Sequence, residues 1–243
     1  MQYLHADWPA PDNIHALTTT RTGGVSQPPR DTLNLGFNCG DDRHAVLKNR
    51  EQLNTHLSLP SPPLWLKQVH GSTIIHGDDH QTNIKADGSY TDKPQQVCAI
   101  LTADCLPIFL CNETGTEIAL LHAGWRGLAQ GIITQAVKRL QSPPEALMAW
   151  FGPAIGATAF EVGKDVKNIF QTYNPGTAKA FTFQPERQSW LCNIYALAKI
   201  YLNTLGIRQI YGAQHCTYTE EGLFFSYRRD KETGRMASLI WMD

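Results

Sequence analysis

The sequence predicts an α/β protein, and three observations carry the prediction. Apolar runs of strand length alternate with stretches of helical periodicity along the chain. No long linker separates them. The segment TEIALLHAGWRGLAQGIITQAVKRL (116–140) runs from an apolar strand through a glycine-containing turn straight into a helix. The order is too irregular for a simple βαβ alternation. The 243 residues fit one domain, 1–243, on a scale of roughly 100–200 residues per domain. A chain of this size buries about 70% of its surface and needs no disulfide to fold.

In chain order, HALTTT (15–20) reads as a strand and RTGGVSQPPRD (21–31) as a Gly/Pro loop. DDRHAVLKNREQLNTHL (41–57) is a helix that Asp41 or Asp42 can cap, with a stripe of Val46, Leu47, Leu53 and Leu57. LPSPPLW (59–65) is a hinge-like connection. Strands follow near 73–76, 96–102 and 107–111. An apolar strand, 117–121, ends at His122, and its helix covers about 127–140. A strand at 146–151, helices at 164–173 and 193–205, and strands at 208–212 and 236–241 complete the chain. FFSYRRDKETGR (224–235) is a basic, hairpin-like segment in which Arg228 and Arg229 form a solvated or salt-bridged face.

A net charge of −1 with 18% charged residues gives no electrostatic footprint for nucleic acid. The N-terminus MQYLHADWPAPDN lacks the pattern of a secretory signal, and no apolar run reaches the roughly 18–20 residues of a spanning helix. A cytoplasmic protein with no membrane partner is expected. Six irregularly spaced cysteines fit packing, metal binding or reactivity better than a disulfide framework.

Three segments place a metal-ligand type at an element boundary: His70 in KQVHG, Cys105 in TADCLP and His122 in HAGWRG. Two histidines and a cysteine suit a catalytic zinc, which keeps a fourth position open. Taken singly, each has a plainer reading, a hydrogen-bonded histidine or an inert core thiol. Asp104 would be a buried charge unless it accepts hydrogen bonds. Pro107 forces a strand break beside Cys105. Cys39, Cys98, Cys111, Cys192 and Cys216 read as packing residues. Anion binding has two candidates: Arg21 with the Gly23–Gly24 turn, which local sequence alone reads more simply as a plain turn, and Gly124, Arg126 and Gly127 at a helix start. There is no G-x-S-x-G, P-loop, H-E-x-x-H or C-x-x-C motif.

TRTGGVS (20–26), LNLG (33–36), KQVHG (67–71), TADCLP (102–107), HAGWRG (122–127), GPAIG…FEVG (152–163) and FFSYRRDKETGRMAS (224–238) together resemble the YfiH-like family. That family is also called laccase-domain, multicopper polyphenol oxidase, peptidoglycan editing factor and FAMIN-related purine nucleoside phosphorylase. The resemblance runs from about residue 8 to the C-terminus. It implies a single-domain α/β/α sandwich with mixed sheets and a zinc held by His70, Cys105 and His122. It implies phosphorolysis of adenosine, inosine and methylthioadenosine, together with adenosine deamination. Small-molecule partners, a purine nucleoside and phosphate, follow from it. Arg21 is then the matching candidate for phosphate and Asn34 a lining residue; apart from the resemblance, Asp104 reads as a carboxylate that orients a ligand or shuttles a proton. One alternative is an editing hydrolase that removes L-serine from a peptidoglycan precursor, with Cys105 as nucleophile. Another is a non-catalytic binding protein. Copper oxidase chemistry is disfavoured: nine histidines include no H-x-H pair, and imidazole and thiolate suit zinc at least as well.

Overall fold

The computed structural model describes residues 1–79 and 84–243. From the N-terminus, β1 (Tyr3–His5) and β2 (Ile14–Thr19) lead through a loop to α1 (Arg43–Leu57). Strands β3 (Leu64–Trp65), β4 (Ile74–His76), β5 (Gly88–Thr91), β6 (Cys98–Thr102), β7 (Leu106–Asn112) and β8 (Ile118–Ala123) follow. Next come α2 (Trp125–Ala129), α3 (Ile132–Val137), β9 (Leu147–Phe151), β10 (Glu161–Val162) and α4 (Lys164–Tyr173). The chain closes with β11 (Phe181–Gln184), β12 (Ser189–Cys192), α5 (Ile194–Leu205), β13 (Gln209–Gly212), α6 (Tyr227–Asp230) and β14 (Met236–Met242).

The strands form a five-stranded sheet, β1-β2-β14-β6-β3, a six-stranded sheet, β13-β9-β7-β8-β5-β4, and a small sheet, β10-β12-β11. The two large sheets are mixed: β3–β6, β4–β5 and β9–β13 pair in parallel, the others antiparallel. Period-two alternation explains how the sheets stack. On β8, Ile118 and Leu120 join Phe109 and Cys111 of β7 in a core with Cys98 and Ile100 of β6 and Ile240 of β14. The intervening Ala119, Leu121 and Ala123 face the other way, onto α2, α3 and α5. The outer face of the five-stranded sheet, Leu17, Ala99 and Leu239, packs on Leu53 of α1. The mixed-sheet α/β architecture is therefore present, with four layers, α/β/β/α, where a three-layer sandwich is expected. Covered on both faces, β7 has all seven residues buried, which is why its sequence is apolar from Leu106 through Cys111.

Three local expectations need correction. The helix over 127–140 is two short helices, because Gly131 takes φ 82° between them. Pro107 does not break the strand. It is the second residue of β7, beyond the β9 pairing that starts at Ile108, so its missing N–H costs no ladder bond to β9. The break falls just before it, at Ala103–Cys105. Segment 224–235 is no hairpin: Ser226 caps α6, accepting a bond from the Arg229 N–H. Helix 41–57 is present, capped by Asp42, which accepts from His44. Among the described residues, no helix is long and apolar enough to cross a membrane.

Candidate metal centre

Ala103, Asp104 and Cys105 carry the chain from β6 in one large sheet to β7 in the other. Stacked sheets lie about 10 Å apart, which three residues span only with a sharp change of direction. Asp104 makes that change at φ 96°. Cys105 thus emerges at the end of the layer between the sheets. His122 lies opposite Pro107 in the β7–β8 register. By alternation it shares the face of Ile118 and Leu120. His70 comes from the loop after β3 and also takes a positive φ, 60°.

The ligand atoms of His70, Cys105 and His122 lie within 4.8 Å of one another. The two imidazoles meet edge to face, with centroids 4.8 Å apart. Zinc bonds of about 2.0–2.3 Å put tetrahedral ligand atoms roughly 3.3–3.8 Å apart, so small inward shifts close the set on an ion. His122 is buried, Cys105 half-buried and His70 exposed, so the cluster opens on the His70 side. Gly124 backs it: a Cβ there lies 2.9 Å from the Cys105 sulfur and 3.4 Å from His70 Cδ2.

Asp87, fully buried, organises two of the three donors. Its carboxylate accepts from His122 Nδ1 at 2.8 Å. It also accepts from the backbone N–H groups of His70 at 2.8 Å and Gly71 at 2.7 Å, and from that of Val69. The bond on Nδ1 leaves His122 Nε2 for the cluster, the usual outer partner of a metal-binding histidine. Burial raises the Asp87 carboxyl, but the bonds from His122 and the amides outweigh it and hold the group below its ordinary range. Burial likewise pushes the Cys105 thiol up, yet the adjoining His122 and His70 bring it down to about 6. Burial lowers His122, while the Cys105 sulfur and Asp87 raise it to about 9. Each group thus favours the charged form of the other, the sulfur moving toward thiolate and the ring toward imidazolium. By contrast, burial pushes Cys98 up to about 11 and Cys111 and Cys192 to about 12.

The remaining sequence candidates lie elsewhere or are engaged. Arg21 donates to the Asp31 and Glu221 carbonyls and to the Asp31 carboxylate, and stacks on Phe225. The N–H groups of Gly23 and Gly24 are taken by Thr32 Oγ1. That segment is a structural turn. Asn34 is fully buried, not a pocket wall. Its amide donates to Gly36 and Asp41 and accepts from the N–H groups of Gly36 and Arg235. Arg126 is exposed over the Trp125 ring, and its guanidinium has no hydrogen-bond acceptor among the described residues. Among the described residues Asp104 hydrogen-bonds to neither histidine of the cluster; it accepts from Thr217 and Arg228. Arg228 and Arg229 are half-buried and donate to the carbonyls of Glu161, Thr217, Tyr218 and Phe224, and Arg229 also pairs with the Asp230 carboxylate at 2.8 Å, so of the two expected alternatives the segment is salt-bridged and not solvated.

Two residues of the site escaped the sequence. Asp87 shows only an acidic residue before a short strand. Gln68 of KQVHG binds both backbone groups of Leu101 through its amide, docking the His70 loop against β6. A side chain that continues a sheet ladder leaves no periodicity to detect.

Residues 15–243 match the family described as multi-copper polyphenol oxidoreductase laccase. A Shigella flexneri protein named purine nucleoside phosphorylase YfiH is 48% identical over 97% of this chain and 96% of its own. A Haemophilus influenzae protein named purine nucleoside phosphorylase is 48% identical over the full length of both. The crystal structure of Neisseria meningitidis protein NMB0706 superposes with a TM-score of 0.96 at 45% identity, covering all of both chains. On sequence and structure alike, the chain belongs to the YfiH family of laccase-like proteins.

Proposed function

We propose that this chain is a cytoplasmic, zinc-dependent purine nucleoside phosphorylase acting on adenosine, inosine and methylthioadenosine, with adenosine deamination as a second activity. The observation that carries the reading is the convergence of His70, Cys105 and His122 on one point from three separate elements. The names of the relatives support the substrate class. Two imidazoles and a low-pKa thiol are a donor set that suits zinc. Among the described residues this is the one such three-donor cluster, which argues against a multicopper oxidase. When bound, the metal supplies Lewis-acid and water-activating chemistry at the open position.

The chain's own groups do the rest. Asp87 holds the proton on His122 Nδ1 and keeps Nε2 turned to the cluster. Its amide bonds fix the His70 loop. Arg126, four residues after His122, is the proposed phosphate contact. Phosphorolysis then joins a phosphate oxygen to C1′ of the ribose as the C1′–N9 bond breaks, the electron pair leaving with the base. Incubation of the purified protein with inosine, with and without phosphate, tests this by chromatography. Phosphate-dependent hypoxanthine and ribose 1-phosphate are expected, both lost in Cys105→Ala. No free base under either condition contradicts it.

The shift of Cys105 toward thiolate beside His122 favours a second reading, a hydrolase that uses Cys105 as nucleophile on a peptidoglycan precursor carrying L-serine. A chelator separates the two: the hydrolase keeps its activity, the zinc enzyme loses it.

A further inference from the structure

We propose that Asp104 is a positioning residue for the Cys105 sulfur, and that the segment from Thr217 to Arg228 is the strap that holds it. The inference rests on the metal reading of His70, Cys105 and His122. Cys105 is delivered by a three-residue crossing between two sheets, so its sulfur lies where that turn places it. The middle residue of the turn sits at φ 96°, a conformation uncommon for a residue with a Cβ and best tolerated by Asn and Asp. Such geometry persists where the surroundings hold it.

Three anchors converge on this one residue. Its carbonyl accepts from the Ile155 N–H at 3.0 Å. Its carboxylate accepts from Thr217 Oγ1 at 2.7 Å and from the Arg228 N–H at 2.7 Å. The last two partners are 113 and 124 residues away in the chain. The strap is itself pinned. Thr217 is fully buried, its N–H donates to the Ala154 carbonyl, and the Arg229 guanidinium gathers the carbonyls of Thr217, Tyr218 and Phe224. Among the described residues Asp104 bonds neither histidine nor the sulfur. Its influence therefore passes through its own peptide bond to Cys105. The space for the sulfur is narrow, as the 2.9 Å approach of a Cβ at position 124 measures, so a shifted turn moves the thiolate off the ion.

Cobalt(II) titration of the metal-free full-length protein tests this, reading affinity and the thiolate-to-cobalt charge-transfer absorption, with the melting temperature of the metal-free form alongside. Asp104→Ala and Asp104→Gly remove both side-chain bonds, and glycine also relieves the strained φ. Asp104→Asn is the conservative rescue. Asparagine tolerates the same φ, its oxygen accepts from the Arg228 N–H, and its NH2 donates to Thr217 Oγ1. Thr217→Val removes one anchor from the strap side. Alanine and glycine are expected to weaken cobalt about tenfold or more, the scale of other residues that orient metal ligands, and to shift the charge-transfer band. Asparagine stays close to wild type, and Thr217→Val falls between. Wild-type affinity and band in alanine and glycine, with only the melting temperature lowered, overturn the proposal. A wild-type protein that shows no thiolate–cobalt band overturns the metal reading beneath it, a result distinct from the first.

Discussion

Replacing Asp87 with asparagine keeps the shape of the side chain and removes one acceptor. The carboxylate takes bonds from His70 N–H and His122 Nδ1 on one oxygen and from Gly71 N–H, at 2.7 Å, on the other. In either amide orientation, the NH2 of Asp87→Asn meets at least one of these donors face to face. One charge-assisted bond, worth about 1.5–3 kcal/mol, is lost, and a largely buried donor is left without a partner at a further ~1–3 kcal/mol. Together these cost about 2.5–6 kcal/mol, against about 5–15 kcal/mol for a typical domain. Because the same carboxylate orients two of the three donors, zinc affinity is expected to fall about 10- to 100-fold. Denaturant unfolding of the metal-free protein measures the first quantity, and competition with a chromophoric zinc chelator the second. Zinc affinity within twofold of wild type in Asp87→Asn refutes the assignment of Asp87 as the organiser of the centre.

Gly124→Ala puts a methyl group 2.9 Å from the Cys105 sulfur. It is expected to weaken zinc by tenfold or more, a scale set by other disturbances of ligand geometry, as the same chelator competition reads. The lowered Cys105 pKa keeps its thiolate present down to about pH 6. In metal-free protein, iodoacetamide labelling of the Cys105 peptide should therefore half-saturate near pH 6 and not near the ordinary 9, while buried Cys98, Cys111 and Cys192, pushed up to about 11 to 12, stay unlabelled at neutral pH. Added zinc should protect Cys105. Asn34→Ala orphans buried donors at Gly36 and Arg235 and should cost about 2–4 kcal/mol. The Michaelis constants for nucleoside and phosphate stay unchanged in the fraction that folds, since Asn34 lines no open surface.

What was legible in the sequence was local. Helices 164–173 and 193–205 lie where periodicity places them, and the apolar run of β7 announces a strand covered on both faces. The convergence of His70, Cys105 and His122 was suggested by motif, because each sits within two residues of a glycine or proline at an element end, and by the family resemblance. What escaped is set by long-range contact. Asp104 finds its side-chain partners more than a hundred residues on, so the sequence suggests a carboxylate that orients a ligand or moves a proton but not the segment that holds it. Arg21 reads as an anion contact because it adjoins a glycine turn, and Asn34 as a pocket residue only through the family resemblance. Their hydrogen bonds to Asp31 and Asp41 show them tying loops together. Gly131 ended one helix and began another, a choice that the local stripe of Leu128, Ile132 and Ile133 conceals.

Metal stripping and reloading tests metal-dependent phosphorolysis most directly. The protein is freed of metal with a chelator, assayed for phosphate-dependent release of hypoxanthine from inosine, and assayed again after one equivalent of zinc. Activity that disappears on stripping and returns with zinc, in wild type but not in Cys105→Ala, is the expected result. Full activity in the stripped protein contradicts it.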